Sequence, residues 1–403
     1  MGRLDIGIAG CGIAGLAAGL LLARDGHNVT FYERFQQPEP VGSGLLIQPT
    51  GLAVLEGLEL TGQVVSSGAR VRRLFGEDRN GEAVLDTRYA DLKADGIFAV
   101  GIHRAALFDA LFGAAKAAGI PFHTGHEVVG ATQASSRMDL AFAAGCASAS
   151  HELVIDCLGV SSPLAPSNGG WLPFGALWTN VEVREGDPFK PDVLEQRYDG
   201  AARMVGVLPV GGGKVALFWS LKAAVLDSWR TAGLVAWKEE VAQLWPACDC
   251  LLERIADPNQ LTFARYAHRL TRRPVEGRLV HIGDAWHAAS PQLGQGANMA
   301  LLDAWALAKA LRETDGVAES LARFISLRRA HVRLYQWLTW LFTPLYQSDS
   351  AFPAILRDIF LAPLSRVGLG PRIQARLVAG LAGNPLRPLG LELPNYRLLS
   401  GRD

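Results

Sequence analysis

The chain has 403 residues, of which 49% are hydrophobic and 19% charged, and its 39 Lys and Arg balance 39 Asp and Glu. That composition excludes a disordered, collagenous or coiled-coil chain and leaves enough apolar residues for two or three domains or subdomains. Zero net charge argues against a nucleic-acid partner, whose affinity rests on an excess of Lys and Arg.

Residues 4–9 (LDIGIA) read as a short buried strand. Gly10-Cys11-Gly12-Ile13-Ala14-Gly15 follows, then a helix pattern ending near Gly26, then a second strand, HNVTFYE, ending at Glu33. Strand, Gly-rich turn, helix, strand and acid make up the βαβ dinucleotide fingerprint. Gly10 suits the tight turn, Gly12 the approach of backbone to a pyrophosphate, and Gly15 close helix–strand packing. The helix start at Ile13 and Ala14 offers free N–H groups and a positive dipole to phosphates, and Glu33 suits a ribose. With 44 glycines in the chain, three at this spacing arise easily by chance. The flanking elements carry the assignment, and they do not choose between FAD and NAD.

Further along come Gly42-x-Gly44, a Pro49-x-Gly51 helix start, and Ile102-His103-Arg104. Residues 153–162 (LVIDCLGVSS) form a strand and loop. From Trp171 to Leu221 strand patterns dominate, with Gly211 to Gly213 as a hairpin signal. Trp178, Met204, Leu208, Phe218 and Trp219 are candidates for a substrate wall, or plain sheet core. Residues 222–255 read helical, with Trp229, Trp237 and Trp245 spaced to share one face. Phe263 to Arg273 reads as a returning strand.

The most informative stretch is residues 277–298. The strand LVHI leads to Gly283-Asp284 at its carboxyl end, where open α/β sheets bind ligands. A loop with His287 and Pro291 then reaches Gly294-Gln-Gly296-Ala297-Asn298, which opens a long helix. The four histidines His103, His268, His281 and His287 have no metal spacing, and no Ser-His-Asp set or carboxylate pair suggests hydrolysis. Cys11, Cys146, Cys157, Cys248 and Cys250 are scattered and odd in number, so a reducing cytoplasm and no metal site are expected. The N-terminus shows no targeting signal, and no apolar run approaches ~18 residues.

In the order and spacing of these motifs the sequence resembles the class A flavoprotein monooxygenases of the para-hydroxybenzoate hydroxylase type, over most of residues 1–312. The resemblance implies an α/β fold. A Rossmann-like FAD-binding domain (1–70, 98–165 and 270–315) carries an inserted mixed or antiparallel β-sheet substrate domain (71–97 and 166–269), followed by a helical C-terminal region (316–403). It implies FAD held by Gly10, Gly12, Ile13, Ala14, Gly15, Glu33, Arg34, Gly44, Arg104, Val128, Gly159, Asp284, Pro291, Gly294, Gly296, Ala297 and Asn298. Asp284 is expected on the ribityl chain, Arg34 by the adenine, Arg104 along the cofactor, and the Val128 backbone at the adenine. Pro291 is expected over the reactive edge of the flavin. Gly296, Ala297 and Asn298 are expected at the pyrimidine side, where a helix N-terminus stabilises the anionic reduced ring. The implied reaction inserts one oxygen atom of O₂, through a flavin C4a-hydroperoxide, into an aromatic or other small hydrophobic substrate. No protein nucleophile is required.

One motif departs from the family. Its middle Ala-Asp-Gly is here Cys157-Leu158-Gly159, with the acid displaced to Asp156 and Pro163, Leu164 and Ala165 where basic residues often follow. Two readings stand: drift in a tolerant loop, or weakened or lost direct reduction by NADH or NADPH, with electrons arriving another way, from a separate reductase or from the substrate itself. An FAD-dependent oxidase or dehydrogenase without oxygen insertion, and a flavin-binding sensor, remain alternatives. The C-terminal segment, with Arg328, Arg329, His331 and VRLYQWLTWLFTPLYQ, either caps the sheet and flavin domain or touches a membrane surface or a lipid-like substrate, with Arg357, Arg366, Arg372 and Arg376 near anionic lipids.

Overall fold

The computed structural model describes residues 2–38, 44–143, 148–165, 169–365 and 367–400. Gly42, Cys146 and Arg366 lie outside them.

The first βαβ pattern builds the centre of a six-stranded sheet. Its order is Val275–Glu276, Leu279–His281, Leu153–Asp156, Asp5–Ala9, Asn28–Glu33 and Phe122–Thr124. All neighbours are parallel except the short edge strand Val275–Glu276. The register Ala9↔Tyr32, Ala9↔Asp156 and Asp156↔His281 puts the carboxyl ends of four strands side by side. Helices Ile13–Arg24 and Gly296–Glu313 pack together against it, with Ile6, Ile8, Leu16, Leu301 and Leu307 fully buried.

A seven-stranded mixed sheet forms the second layer. It runs Thr262–Arg269, Gly169–Glu182, Lys214–Lys222, Arg203–Gly211, Val193–Asp199, Arg73–Asp78 and Ala83–Arg88. The pairing of Val193–Asp199 with Arg73–Asp78 is parallel and the rest are antiparallel. The glycine hairpin is present: Gly211, Gly212 and Gly213 all have positive φ, which L side chains resist. Period-two alternation decides which wall candidates face the first layer. Phe218 stacks on Trp178, with ring centroids 4.5 Å apart, toward the main core. Its neighbour Trp219 points the other way, into a separate core with Trp237, Val241 and Trp245, and is not a wall residue.

Trp229, Trp237 and Trp245 gather on that second core, but not along one helix. Helix Leu226–Leu244 breaks at Gly233 (φ 80°), and Trp245 lies past its end. Equal spacing suggested a continuous face, and the Gly233 kink overrides it.

The C-terminal region is helical, led by the 30-residue helix Val317–Tyr346. Its inner face buries Phe324, Arg328, His331, Tyr335 and Leu338, and it packs on helix Gly296–Glu313, so it caps the layer of the six-stranded sheet. Trp337, Trp340 and Leu341 are exposed on the other side. Arg357 meets neither lipid nor solvent, the two placements open to it from sequence: it is 1% exposed and paired with Asp358 at 2.6 Å. Among the described residues no helix is long and apolar enough to cross a membrane.

Candidate active site

The first Gly-rich turn is shaped by contacts that leave no room for side chains. Gly10 has φ +98°, and a Cβ there would lie 2.7 Å from the Cys157 carbonyl oxygen. A Cβ on Gly15 would lie 2.1 Å from the Gly10 carbonyl oxygen, so Gly15 serves packing and does not line the cavity described below. Gly12 is different. It begins helix Ile13–Arg24 with φ −73°, and a Cβ there would meet nothing within 4 Å. Its open side is the cavity. Glu33 Oε2 accepts the Cys11 N–H at 3.0 Å and Oε1 accepts the Phe35 N–H at 3.2 Å, which fixes the turn while leaving acceptor capacity on both oxygens. Burial, and then the charge of Glu33, push the Cys11 thiol well up, so it stays protonated.

The second Gly-rich turn meets the first. Gly283 (φ +59°) sits where a Cβ would lie 3.1 Å from Ala14 Cβ and 3.3 Å from Ala300 Cβ. The starts of helices Ile13–Arg24 and Gly296–Glu313 therefore flank one glycine. Asp284 follows, exposed on the cavity side, and its carboxylate has no hydrogen-bond or ion-pair partner among the described residues. Met299 N–H bonds to Gln295 O, so the N–H groups of Gly296, Ala297 and Asn298 are the free first-turn donors.

Asn298 is placed differently from expectation. It is fully buried, and its side chain is a clasp. Oδ1 accepts the Gln48 N–H at 2.8 Å, and Nδ2 donates to Leu46 O at 3.1 Å and Gly294 O at 2.9 Å. The clasp ties strand Gly44–Ile47 to the Gly294 loop. Gly51 makes it possible, since a Cβ there would lie 2.2 Å from Asn298 Oδ1. Only the backbone of Asn298 faces the helix start.

Below Gly283 lies a buried charge network that the motifs did not announce. Asp303 Oδ2 accepts the Gly283 N–H at 3.0 Å and pairs with His287 Nε2 at 2.6 Å, while Oδ1 accepts Arg328 Nε at 2.7 Å. Asp303 and Arg328 are fully buried. Burial raises the Asp303 carboxyl, but the charges and hydrogen bonds of His287 and Arg328 outweigh it and hold it at about 2. Arg328 Nη1 also donates to His331 Nδ1 at 3.1 Å, and His331 Nε2 donates to Gly380 O at 3.2 Å. Burial and the Arg328 charge lower His331 to about 3, so it is neutral. His287 faces this network, not the cavity. Charged residues at 303 and 328 on otherwise apolar helix faces were the available signal.

The middle motif closes the same edge. Leu158 lines the cavity where the family carries an acid. Asp156 is fully buried and holds the loop from beneath. Its Oδ1 accepts the Leu158 N–H at 2.9 Å, and its Oδ2 accepts the Ser162 hydroxyl at 2.6 Å and meets His281 Nδ1 at 2.7 Å. Gly159 (φ +78°) lines the cavity, with open space where a Cβ would stand.

These turns border one cavity of about 810 Å³. It brings together Gly10, Gly12, Ile13, Ala14, Glu33, Arg34, Gly44, Arg104, Val128, Gly159, Asp284, Pro291, Gly294, Gly296 and Ala297. Trp178, Met204, Leu208 and Phe218 line its far side, with Phe342 and Tyr346 from the C-terminal helix. The family described as FAD binding domain matches residues 3–333. The chain belongs to this family. It is 27% identical to the 3-amino-4-hydroxybenzoate 2-monooxygenase of Streptomyces cremeus over 345 residues, covering 81% of this chain and 83% of the relative. It is 29% identical to a salicylate hydroxylase of Pseudomonas putida (85% and 86% covered). It is 26% identical to the 2-heptyl-3-hydroxy-4(1H)-quinolone synthase of Mycobacteroides abscessus (89% and 94% covered). The crystal structure of Klebsiella pneumoniae HpxO complexed with FAD and uric acid superposes with a TM-score of 0.82 at 22% identity, over 95% of this chain and 98% of that one. The protein is an FAD-dependent monooxygenase, as the resemblance implied.

Proposed function

We propose that the cavity seats FAD along the edge of the six-stranded sheet and an aromatic substrate against the seven-stranded sheet. The observation that carries this is the convergence of two helix N-termini on Gly283, with the unpaired Asp284 carboxylate beside them. Residues 1–70, 98–165 and 270–315 are the FAD-binding part in this reading, and 71–97 with 166–269 the substrate part.

The residues suit the cofactor. Gly12, Ile13 and Ala14 bring free N–H groups and open space to a pyrophosphate. Glu33 and Arg34 flank the adenosine end, and the Val128 backbone faces the adenine. Arg104 has no hydrogen-bond or ion-pair partner among the described residues and lies along the pyrophosphate. Asp284 accepts from the ribityl hydroxyls. The Gly296 and Ala297 N–H groups aim positive potential at the pyrimidine edge of the ring, and Pro291 covers its reactive edge. Bound FAD supplies the O₂-activating chemistry. The chain orients the substrate with Trp178, Met204, Leu208 and Phe218 and excludes water from the reacting edge.

The reductant is NADH or NADPH in this reading, and Leu158 is the reason to test it. Anaerobic mixing of the purified flavoprotein with each nucleotide, with and without aromatic compounds, reads bleaching of the visible flavin band. Bleaching accelerated by a substrate supports direct reduction. Chemical reduction without nicotinamide reduction assigns the electrons to a separate reductase or to a substrate that reduces the flavin itself.

A further inference from the structure

We infer that the substrate is an uncharged aromatic compound with amide-like or carbonyl hydrogen-bonding groups, read by the buried side chain of Gln347. This rests on the FAD reading above and narrows it.

The charges around the cavity are one-sided. Among its described lining residues the charged ones are Glu33 and Arg34 at the end of strand Asn28–Glu33, Arg104 at the start of helix Arg104–Ala117, Glu127 just before strand Val128–Ala134, and Asp284 just past strand Leu279–His281. The described residues of the seven-stranded sheet and the C-terminal helices contribute none. Their polar lining groups are amides and phenols. Burial raises the Tyr198, Tyr266 and Tyr346 hydroxyls, so these remain neutral.

A cation behind this wall is held by protein groups. Arg357 lies 5.2 Å from the ring centroids of both Tyr198 and Tyr346 and does not line the cavity. It pairs with Asp358 at 2.6 Å and donates to Gly200 O and Leu345 O. A substrate carboxylate in this compartment would be desolvated with no counter-charge among the described residues, a strongly unfavourable state.

What the compartment offers instead is unpaired amide. Gln347 is 7% exposed, lines the cavity, and neither Oε1 nor Nε2 has a partner among the described residues. Gln374 Oε1, from the facing helix Gly370–Val378, is also buried and unpaired at the cavity. On the cofactor side, Tyr89 donates to Gln48 Oε1 at 2.5 Å, which leaves Gln48 Nε2 buried and without a partner among the described residues, on a side chain that borders the cavity. Buried polar atoms without partners are disfavoured unless a ligand satisfies them. A primary amide pairs donor to acceptor with a lactam, quinolone or carboxamide, and has no such advantage with an ion.

The test uses matched probes on the FAD-loaded protein at neutral pH: salicylamide against salicylate, and 2-methyl-4-quinolone against 4-hydroxyquinoline-2-carboxylate. Binding is read from perturbation of the flavin absorbance. The neutral member of each pair should bind at least about tenfold more tightly. Gln347→Leu should weaken 2-methyl-4-quinolone about tenfold and leave 2-methylquinoline, which lacks the carbonyl, unchanged. Gln347→Arg should reverse the preference within each pair. Carboxylates that bind as tightly as their neutral partners to the unaltered protein overturn the inference. A protein that purifies colourless and does not quench the fluorescence of added FAD contradicts the cofactor reading instead, so the two failures are separable.

Discussion

Asp303 and Arg328 form an ion pair at 2.7 Å with both side chains closed to solvent, and the second oxygen of Asp303 holds the N–H of Gly283. One buried carboxylate thus links the C-terminal helix to the turn that presents Asp284. Removing one partner leaves a buried charge uncompensated, which costs about 3–5 kcal/mol. Arg328→Met and Asp303→Asn should each lower the urea-unfolding free energy by that order, with the FAD-free protein used to separate folding from binding. A loss below about 1 kcal/mol in both would show that the pair does not hold the turn.

Asp284 offers the opposite case, a carboxylate with no partner among the described residues to lose. Asp284→Ala should leave the stability of the FAD-free protein within about 0.5 kcal/mol. The lost charge-assisted hydrogen bond, about 1.5–3 kcal/mol, corresponds to about ten- to a hundredfold weaker FAD binding by fluorescence titration. Full flavin retention on purification would contradict the placement.

Gly12 and Gly15 separate binding from packing. Gly15→Ala forces a methyl to within 2.1 Å of Gly10 O and should destabilise the fold by about 1–3 kcal/mol. Gly12→Ala meets no protein atom and has an ordinary φ, so its thermal midpoint without FAD should match that of the parent. Its FAD affinity should fall by about tenfold or more, because the methyl occupies the approach to the pyrophosphate.

His331 makes the C-terminal cap acid-sensitive. Its Nε2 donates to Gly380 O and its Nδ1 lone pair accepts from Arg328, so a second proton has no place. With a folded value of about 3 against 6.5 unfolded, the unfolded chain binds more protons between those limits. Stability is unaffected above about pH 6.5 and falls as pH drops below it, by up to about 1.4 kcal/mol per pH unit. Asp303, at about 2, adds its own loss only below about pH 4. The urea midpoint of the parent should therefore fall between pH 6.5 and 4.5, and His331→Gln should flatten that slope. Parallel slopes for the two proteins would contradict the assignment.

The sequence was most informative where backbone geometry forces residue identity. The two Gly-rich turns, the strand-end Asp284 and the hairpin at Gly211–Gly213 each leave a glycine or an acid at a fixed offset from a strand, and periodicity supplies the rest. It was least informative where residues distant in the chain meet. Asn298 reads as part of a binding motif, yet its side chain reaches Gln48 and Leu46, some 250 positions away. Asp303, Arg328 and His331 carry no motif, and only their burial on neighbouring helices exposes their role. Composition leaves Trp219 and Phe218 alike as wall or sheet core; strand alternation sends Trp219 to the opposite face, into the second core. The three tryptophans spaced by eight suggested one helix face until Gly233 broke the helix.

The central claim, an FAD-dependent monooxygenase whose cavity couples the Asp284 edge to an aromatic pocket, is tested most directly by turnover in ¹⁸O₂. The FAD-loaded protein is supplied with NADH or NADPH, or with a flavin reductase if neither bleaches it, together with the tightest-binding neutral aromatic probe. The account predicts a product carrying one ¹⁸O atom, formed in step with reductant consumption and lost in Asp284→Ala without added FAD. An oxidised product free of label, with all the ¹⁸O recovered as hydrogen peroxide, would contradict it and make the protein an oxidase.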